Sequence, residues 1–385
     1  MRARHGRPRW GLAVVAALAA ACSNSTGPQA HLANPQQLSS DLQAVSGVLQ
    51  SSVLTSFGVV GTATGSPATV ATPAGALLQA APITAPRSAG QVYLDAPRRL
   101  QALRLAAGTL GSGISASVVP PQYLGQTFVW DDATHQYVVG PDAGPTNGVR
   151  IILYALDPLT GSVAEPSTAV GFVDLLDEST TSPAVDKLHV IVTGGTPTSP
   201  GVTYADYTVS ASVTGSPATA FNASAVGFVG DGTHTLAFDA TFAATNLTTD
   251  NPDAQMDVTW DLDNPVIHVV LHETLASSDA NHLTVTIDFS VVHGGETVAV
   301  TGTISVVSFP QSLTANLSIT VNGVAYARVT GTATATTNSI QVAHANGSAL
   351  SDSEYQAVVD LFDLPGAIET AIDNLFAPSE HLMGA

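Results

Sequence analysis

The chain predicts an all-β protein: a long antiparallel meander, as a curved sheet, half-barrel or sandwich, with N-terminal helices and a C-terminal helical pair packed on it. Three observations carry this. First, between Tyr204 and His344 apolar and polar residues alternate with a period of two, the mark of a sheet with one buried and one wet face. Ala254, Met256, Val258, Trp260 and Leu262 fall on one side, with Gln255, Asp257, Thr259, Asp261 and Asp263 on the other. Segments 282–289 and 312–322 repeat the pattern. Second, reversal signals divide the runs. Asn322-Gly323 is the strongest, because both central residues of a type I′ turn need positive φ. Gly230-Asp231-Gly232, Asp263-Asn264-Pro265 and Gly294-Gly295 mark others. Third, Thr and Val dominate, and branching at Cβ suits an extended backbone. Together these place roughly ten strands in the main meander, residues 203–345.

The segment that precedes it opens with a targeting signal. Arg2, Arg4, Arg7 and Arg9 precede an apolar run, Gly11–Ala21, too short to cross a bilayer, so residues 1–21 read as a signal peptide. Ala19-Ala20-Ala21-Cys22 resembles the lipobox of bacterial lipoproteins; the resemblance covers only about the first 28 residues, and Leu18 sits one place earlier than that family prefers. Cys22 is the only cysteine in the chain, at the one place a lipid anchor needs a thiol. The resemblance implies cleavage before Cys22, diacylglycerol on its sulfur and attachment to the membrane through that lipid. Ser23 next to it implies delivery to the outer membrane of a cell envelope. With one cysteine, no disulfide forms within the chain.

Residues 22–34 read as a tether. Residues 35–108 read as helices joined by a Pro-, Gly- and Ala-rich linker. Leu38, Leu42, Val45, Val48 and Leu49 recur at helical spacing after Asn34-Pro35, with the helix ending near Phe57. A second helix is expected over Arg98–Ala107, capped by Asp95, with Pro97 in its first turn and a stop at Gly108. Arg87, Arg98, Arg99 and Arg104 read as a solvated helix face that balances nearby carboxylates, with a docking patch for an acidic partner as the alternative. A first β part spans 127–200, with short apolar runs at 127–130, 136–139, 149–156, 170–176 and 188–193. After the meander, Ser351-Asp352-Ser353-Glu354 is a capping box for C-terminal helices over 351–376, broken at Pro365-Gly366.

Charge narrows the function. Beyond the signal, seven basic residues face thirty acids, a formal charge near −23. Nucleic-acid binding needs basic surface to displace counterions, so it is excluded. No Gly-x-Ser-x-Gly elbow, phosphate loop with lysine or His-Glu-x-x-His occurs; His272-Glu273 starts like the last, but Ala276 stands where the second histidine belongs.

One constellation points to chemistry. A two- or four-residue loop at 263–266 pairs Leu262 with Ile267, setting Asp261 opposite His268 and Asp257 opposite His272, with Asp288 expected near Val270 between the histidines. Such a set suits a divalent metal such as zinc or manganese, or an acid/base pair; the plainer reading is a solvated face with cross-strand pairs. The acidic loop 250–253 lacks a spaced calcium pattern and reads as a turn. The function expected is therefore a lipid-anchored envelope lipoprotein with a non-catalytic sheet that serves as scaffold or binding surface. Its partners would be the membrane through Cys22 and an envelope protein. The alternatives are a carrier of an apolar, lipid-like ligand in a curved sheet, and a metal-dependent enzyme on the Asp257/Asp261/His268/His272 face.

Overall fold

The alternation read from the residues becomes a hydrogen-bonded ladder. The computed structural model describes residues 30–48, 52–53, 56, 89–109, 118–334 and 336–364, and among them sixteen strands form one sheet. The chain enters through β1 (Gln126–Asp131), β2 (Gln136–Ala143), β3 (Gly148–Tyr154), β4 (Ala169–Asp177) and the two-residue β5 (Thr180–Thr181). Then β6 (Ala184–Thr196), β7 (Ser199–Thr214), β8 (Ala220–Gly230), β9 (Thr235–Thr245), β10 (Asp253–Asp263) and β11 (Val266–Asp279) follow in spatial order. The same order continues through β12 (His282–His293), β13 (Glu296–Val307), β14 (Ser312–Val321), β15 (Val324–Thr334) and β16 (Gln341–His344). The sheet does not close: β2 and β16 are the ends of the order. The expected ten-strand meander is β7–β16, and β6 continues it, since Thr196 pairs with Ser199 across the glycine-rich segment.

Two local features were not in the sequence reading. The β1–β3 pairing is parallel, with Gln126 opposite Val149, a point on which the apolar runs of 127–200 were silent. The reason lies in residues 144–147, which carry the chain over the start of β1, so that β3 lands on the side of β1 away from β2. The second helix starts earlier than its capping signal suggested: α2 runs Ala89–Thr109 with Pro97 inside. Pro97 can donate no hydrogen bond to the preceding turn. The helix nevertheless passes through it, because Tyr93, Ala96, Leu100 and Leu103 form a buried stripe on both sides.

The helices lie on the apolar face of the sheet. α1 (Pro35–Val48) buries Leu38, Leu42, Val45 and Val48, four side chains worth about 1.5–3 kcal/mol each on burial. Residues 52, 53 and 56 are helical too. α3 (352–364) buries Ala357, Val358, Leu361 and Leu364. Its capping box forms as the sequence implied: the Ser351 amide donates to Glu354 Oε2 at 2.9 Å, and the Glu354 amide to Ser351 Oγ at 3.4 Å. The stripes of all three helices and the inward residues of the sheet make one continuous core. The signal segment, Cys22, the linker at 58–88 and the second C-terminal helix lie outside the described residues.

Turns set the register. Asn322 and Gly323 have φ of 50° and 78°, and Val321 pairs with Val324, the two-residue hairpin that Asn-Gly implies. Leu262 pairs with Ile267 across Asn264-Pro265. On β15 the register slips by one residue, so that Ile319 faces Ala327 and Thr320 faces Ala325. Tyr326 is the extra residue, and like Ala327 it is buried.

Two glycines separate conformational strain from steric exclusion. At Gly323 a Cβ meets nothing within 4 Å, so alanine there carries only the left-handed penalty of about 1–2 kcal/mol. At Gly227, φ 149°, a Cβ falls 2.2 Å from the Asp206 carbonyl oxygen and 2.4 Å from Tyr207 Cα, in the β7–β8 seam. Urea unfolding should therefore show Gly227→Ala losing more stability than Gly323→Ala, by about 1 kcal/mol or more. Equal losses would mean that the seam yields to a methyl group.

Candidate functional site

The outer face of the sheet carries an unbroken polar row. Register places Lys187, Thr241, Asp257, His272, Asp288 and Arg328 in one line across β6–β15, with Ser and Thr at the intervening strands. The expected pairs form. His268 Nδ1 lies 2.6 Å from Asp261 Oδ1, and His272 Nδ1 is hydrogen-bonded to Asp257 Oδ1. The His272 hydrogen bond holds the Asp257 carboxyl below the usual carboxylate range.

The five residues do not meet at one point. Asp288 stands opposite His272, and Ser290, not Asp288, is opposite Val270 between the histidines. The two Asp–His pairs are four residues apart along their strands, about 13 Å at 3.3 Å per residue. Among the described residues, no three His, Cys, Asp or Glu side chains converge as metal ligands. Among the described residues, histidine stands beside carboxylates more often than lysine or arginine does. Eight described histidines sit beside carboxylates. His189 lies between Asp206, at 2.7 Å, and Glu178, at 3.2 Å, which Lys187 also binds. With so few Lys and Arg, imidazoles take the place beside many of the carboxylates.

The loop at 250–253 is occupied by the protein itself. Arg104 of α2 donates to Asp250 Oδ1 at 2.6 Å, and Asn246 donates to Asp253. The arginine thus ties α2 to the β9–β10 connection, the carboxylate-balancing role expected of it.

A second group of polar residues lies on the inner face, where the sequence reading placed none. Asp186, Glu273, His293, Glu296 and His344 are all buried. Each was legible by parity: Asp186 shares its face with Leu188 and Val190, Glu273 with Leu271 and Leu275, and His293 with Phe289 and Val291. Tyr93 of α2 donates to Glu273 at 3.3 Å. His293 Nδ1 is 3.5 Å from Asp41 of α1, and its Nε2 is 3.5 Å from Glu296, whose other oxygen accepts from the Ala33 amide. His344 Nε2 is 3.6 Å from Glu354 of α3, and its ring packs edge-on against Tyr326. Burial, with Glu354 and Glu296 near, pushes the Tyr326 hydroxyl up. Against its burial, the Ser351 amide and hydroxyl and then His344 hold the Glu354 carboxyl down.

No family model matches the chain, and no curated protein or solved structure matches it either.

Asp186 is the inner-face carboxylate with neither oxygen hydrogen-bonded. Loss of water on burial, with Asp177 nearby, raises its pKa to about 6. The folded state thus holds this proton more tightly than the unfolded chain, whose aspartates titrate near 3.8. Its protonated form is tolerated at low pH, and stability is lost as pH rises from about 4 through 6, by up to about 3 kcal/mol. Asp186→Asn should therefore gain about 1–3 kcal/mol over the parent on going from pH 4 to pH 7.5, read by urea unfolding at both. A difference that does not change with pH would show that the carboxylate is solvated in the native state.

Proposed function

We propose that this chain is a lipid-anchored lipoprotein of the cell envelope, in which a non-catalytic sheet presents its outer face to an envelope partner. The observation that carries the reading is the disposition of the two faces. The inner face is covered by the chain's own helices, while the outer face offers a polar row of hydroxyls, carboxylates and imidazoles across ten consecutive strands, β6–β15. Hydrogen-bonding side chains spread along a sheet suit an extended contact surface; a catalytic site instead needs groups gathered at one point. Anchorage rests on the lipobox-like Ala19-Ala20-Ala21-Cys22, which would hold the sheet at the membrane through several acyl chains, each buried methylene adding about 0.8 kcal/mol.

A carrier is the second reading. Three helices lie over the apolar face, and His344 Nδ1 beneath them has no hydrogen-bond partner, so a lipid-like ligand with a polar head would find both apolar walls and a polar group there. A divalent metal at Asp257, Asp261, His268, His272 and Asp288 is a third reading, and given the spacing of the pairs it would require two separate ions.

Expression in a cell envelope and native mass spectrometry separate these readings. The parent should carry the mass of a lipidated Cys22 and partition into detergent, and Cys22→Ala should lose both properties. An unchanged partition for Cys22→Ala would remove the lipoprotein reading. A co-purifying lipid-sized mass on the folded chain would replace the scaffold with the carrier. Bound metal that disappears in a His268→Ala, His272→Ala double variant would replace it with the metal site. Without metal, that double variant should change stability by less than about 1 kcal/mol, as exposed ion pairs do.

A further inference from the structure

We propose that Asp177, Ser179 and Asp186 form a binding site for one calcium ion on the inner face of the sheet, where β4 passes to β6. The observation that carries this is a carboxylate that the fold buries without a partner. Asp186 is 3% exposed, and neither of its oxygens is hydrogen-bonded. Such a group is rare in folded proteins, and a bound ion is one of the few things that accounts for it. A proton does not satisfy it. The protonated carboxyl has a hydroxyl that needs an acceptor, and neither oxygen has one.

Register brings a second carboxylate to the same place. Asp177 of β4 is opposite Leu188 of β6, and Leu188 points into the core two residues beyond Asp186. Asp177 and Asp186 are therefore diagonal neighbours on the inner face, roughly 7 Å apart. Glu178 and Lys187 point the other way and pair at 2.7 Å. Thr180 is opposite Val185, so counting between the two pairings sets Ser179 opposite Asp186. The backbone fixes these oxygen donors. Asp177 accepts from the Ser179 amide at 3.0 Å and from the Val119 amide at 3.4 Å, one at each carboxylate oxygen. The Ser179 hydroxyl oxygen accepts from the Lys187 amide at 3.1 Å. Each of these oxygens has a further lone pair to offer a cation.

The donor set selects the ion. All three side chains present oxygen, which suits a hard cation and not the metals of imidazole or thiolate sites. Calcium takes about six to eight oxygens at about 2.3–2.6 Å in a flexible geometry. Asp186 can give both of its oxygens, Asp177 and Ser179 one each, and backbone carbonyls or water the remainder. Magnesium demands a near-ideal octahedron at shorter distances, which a diagonal pair of short carboxylates meets poorly. The ion has a way in, because Asp177 and Ser179 are only partly buried and the adjoining Thr180 and Thr181 are exposed. With two carboxylates the affinity belongs with the weak extracellular calcium sites, at about 10⁻⁴–10⁻³ M. The site is separate from the five outer-face residues considered for a metal above. It goes beyond the function proposed there and stands whether or not the chain is lipid-anchored.

Urea unfolding of the full-length protein in detergent micelles, in EGTA and in about 10 mM calcium near pH 7.5, tests it. Calcium should raise the folding equilibrium constant of the parent at least about tenfold. In Asp186→Asn the effect should fall below about twofold, and Ser179→Ala should reduce it at least about twofold. In EGTA, Asp186→Asn should be no less stable than the parent, since it removes an unpaired charge, so a failure to fold cannot imitate loss of the ion. Asp239→Asn, which removes an exposed carboxylate of β9, should respond to calcium as the parent does. A parent response under about twofold would overturn the site. So would an undiminished response in Asp186→Asn or an equal response to magnesium, either of which would mean that the cation acts on the acidic surface as a whole.

Discussion

Everything in this molecule depends on one hydrogen-bonded register passed from strand to strand. Side chains alternate across an extended chain, so a slip of one residue would turn the apolar set outward and the polar set inward. Short reversals prevent this. Asn264-Pro265 aligns Leu262 with Ile267, and Asn322-Gly323 aligns Val321 with Val324. Each junction fixes the next pair, which is how Lys187 and Arg328 come to share one row though nine strand junctions lie between them.

A sheet built this way has two unlike faces, and the helices answer to one of them. The inward residues are almost all aliphatic or aromatic and could not remain in water. α1, α2 and α3 meet them with stripes of their own. Because the sheet does not close, its edges need management. β16 is only four residues long, and β2 contains Pro141 and a bulge against β1, features that discourage another strand from adding.

Ionisable groups divide along the same line. On the outer face, histidine–aspartate pairs sit in water and contribute little individually. On the inner face the same residue types are removed from solvent, and at Asp186 this links protonation to folding itself. The chain is poor in Lys and Arg, and that scarcity gives its histidines a part they would not play in a more basic protein.

The sheet, its main reversals, the α1 stripe, the capping box and the Asp257–His272 and Asp261–His268 pairs could be read from the residues. All follow from period, turn chemistry and nearest-neighbour pairing, which are local. Asp288 was placed one pair out, because its position depends on the register of a second hairpin. The parallel β1–β3 pair and the passage of α2 through Pro97 were not legible, since the first depends on a chain crossing and the second on burial of Tyr93 and Ala96 against a distant strand. Parity could have shown His293, Glu296 and His344 pointing inward, though the sequence reading did not draw it out, and parity says nothing of what lies opposite. Only the packed structure brings Asp41 and Glu354, from the two ends of the chain, to those imidazoles, because contacts between elements so far apart in sequence are set by how helices seat on a sheet and by no local pattern.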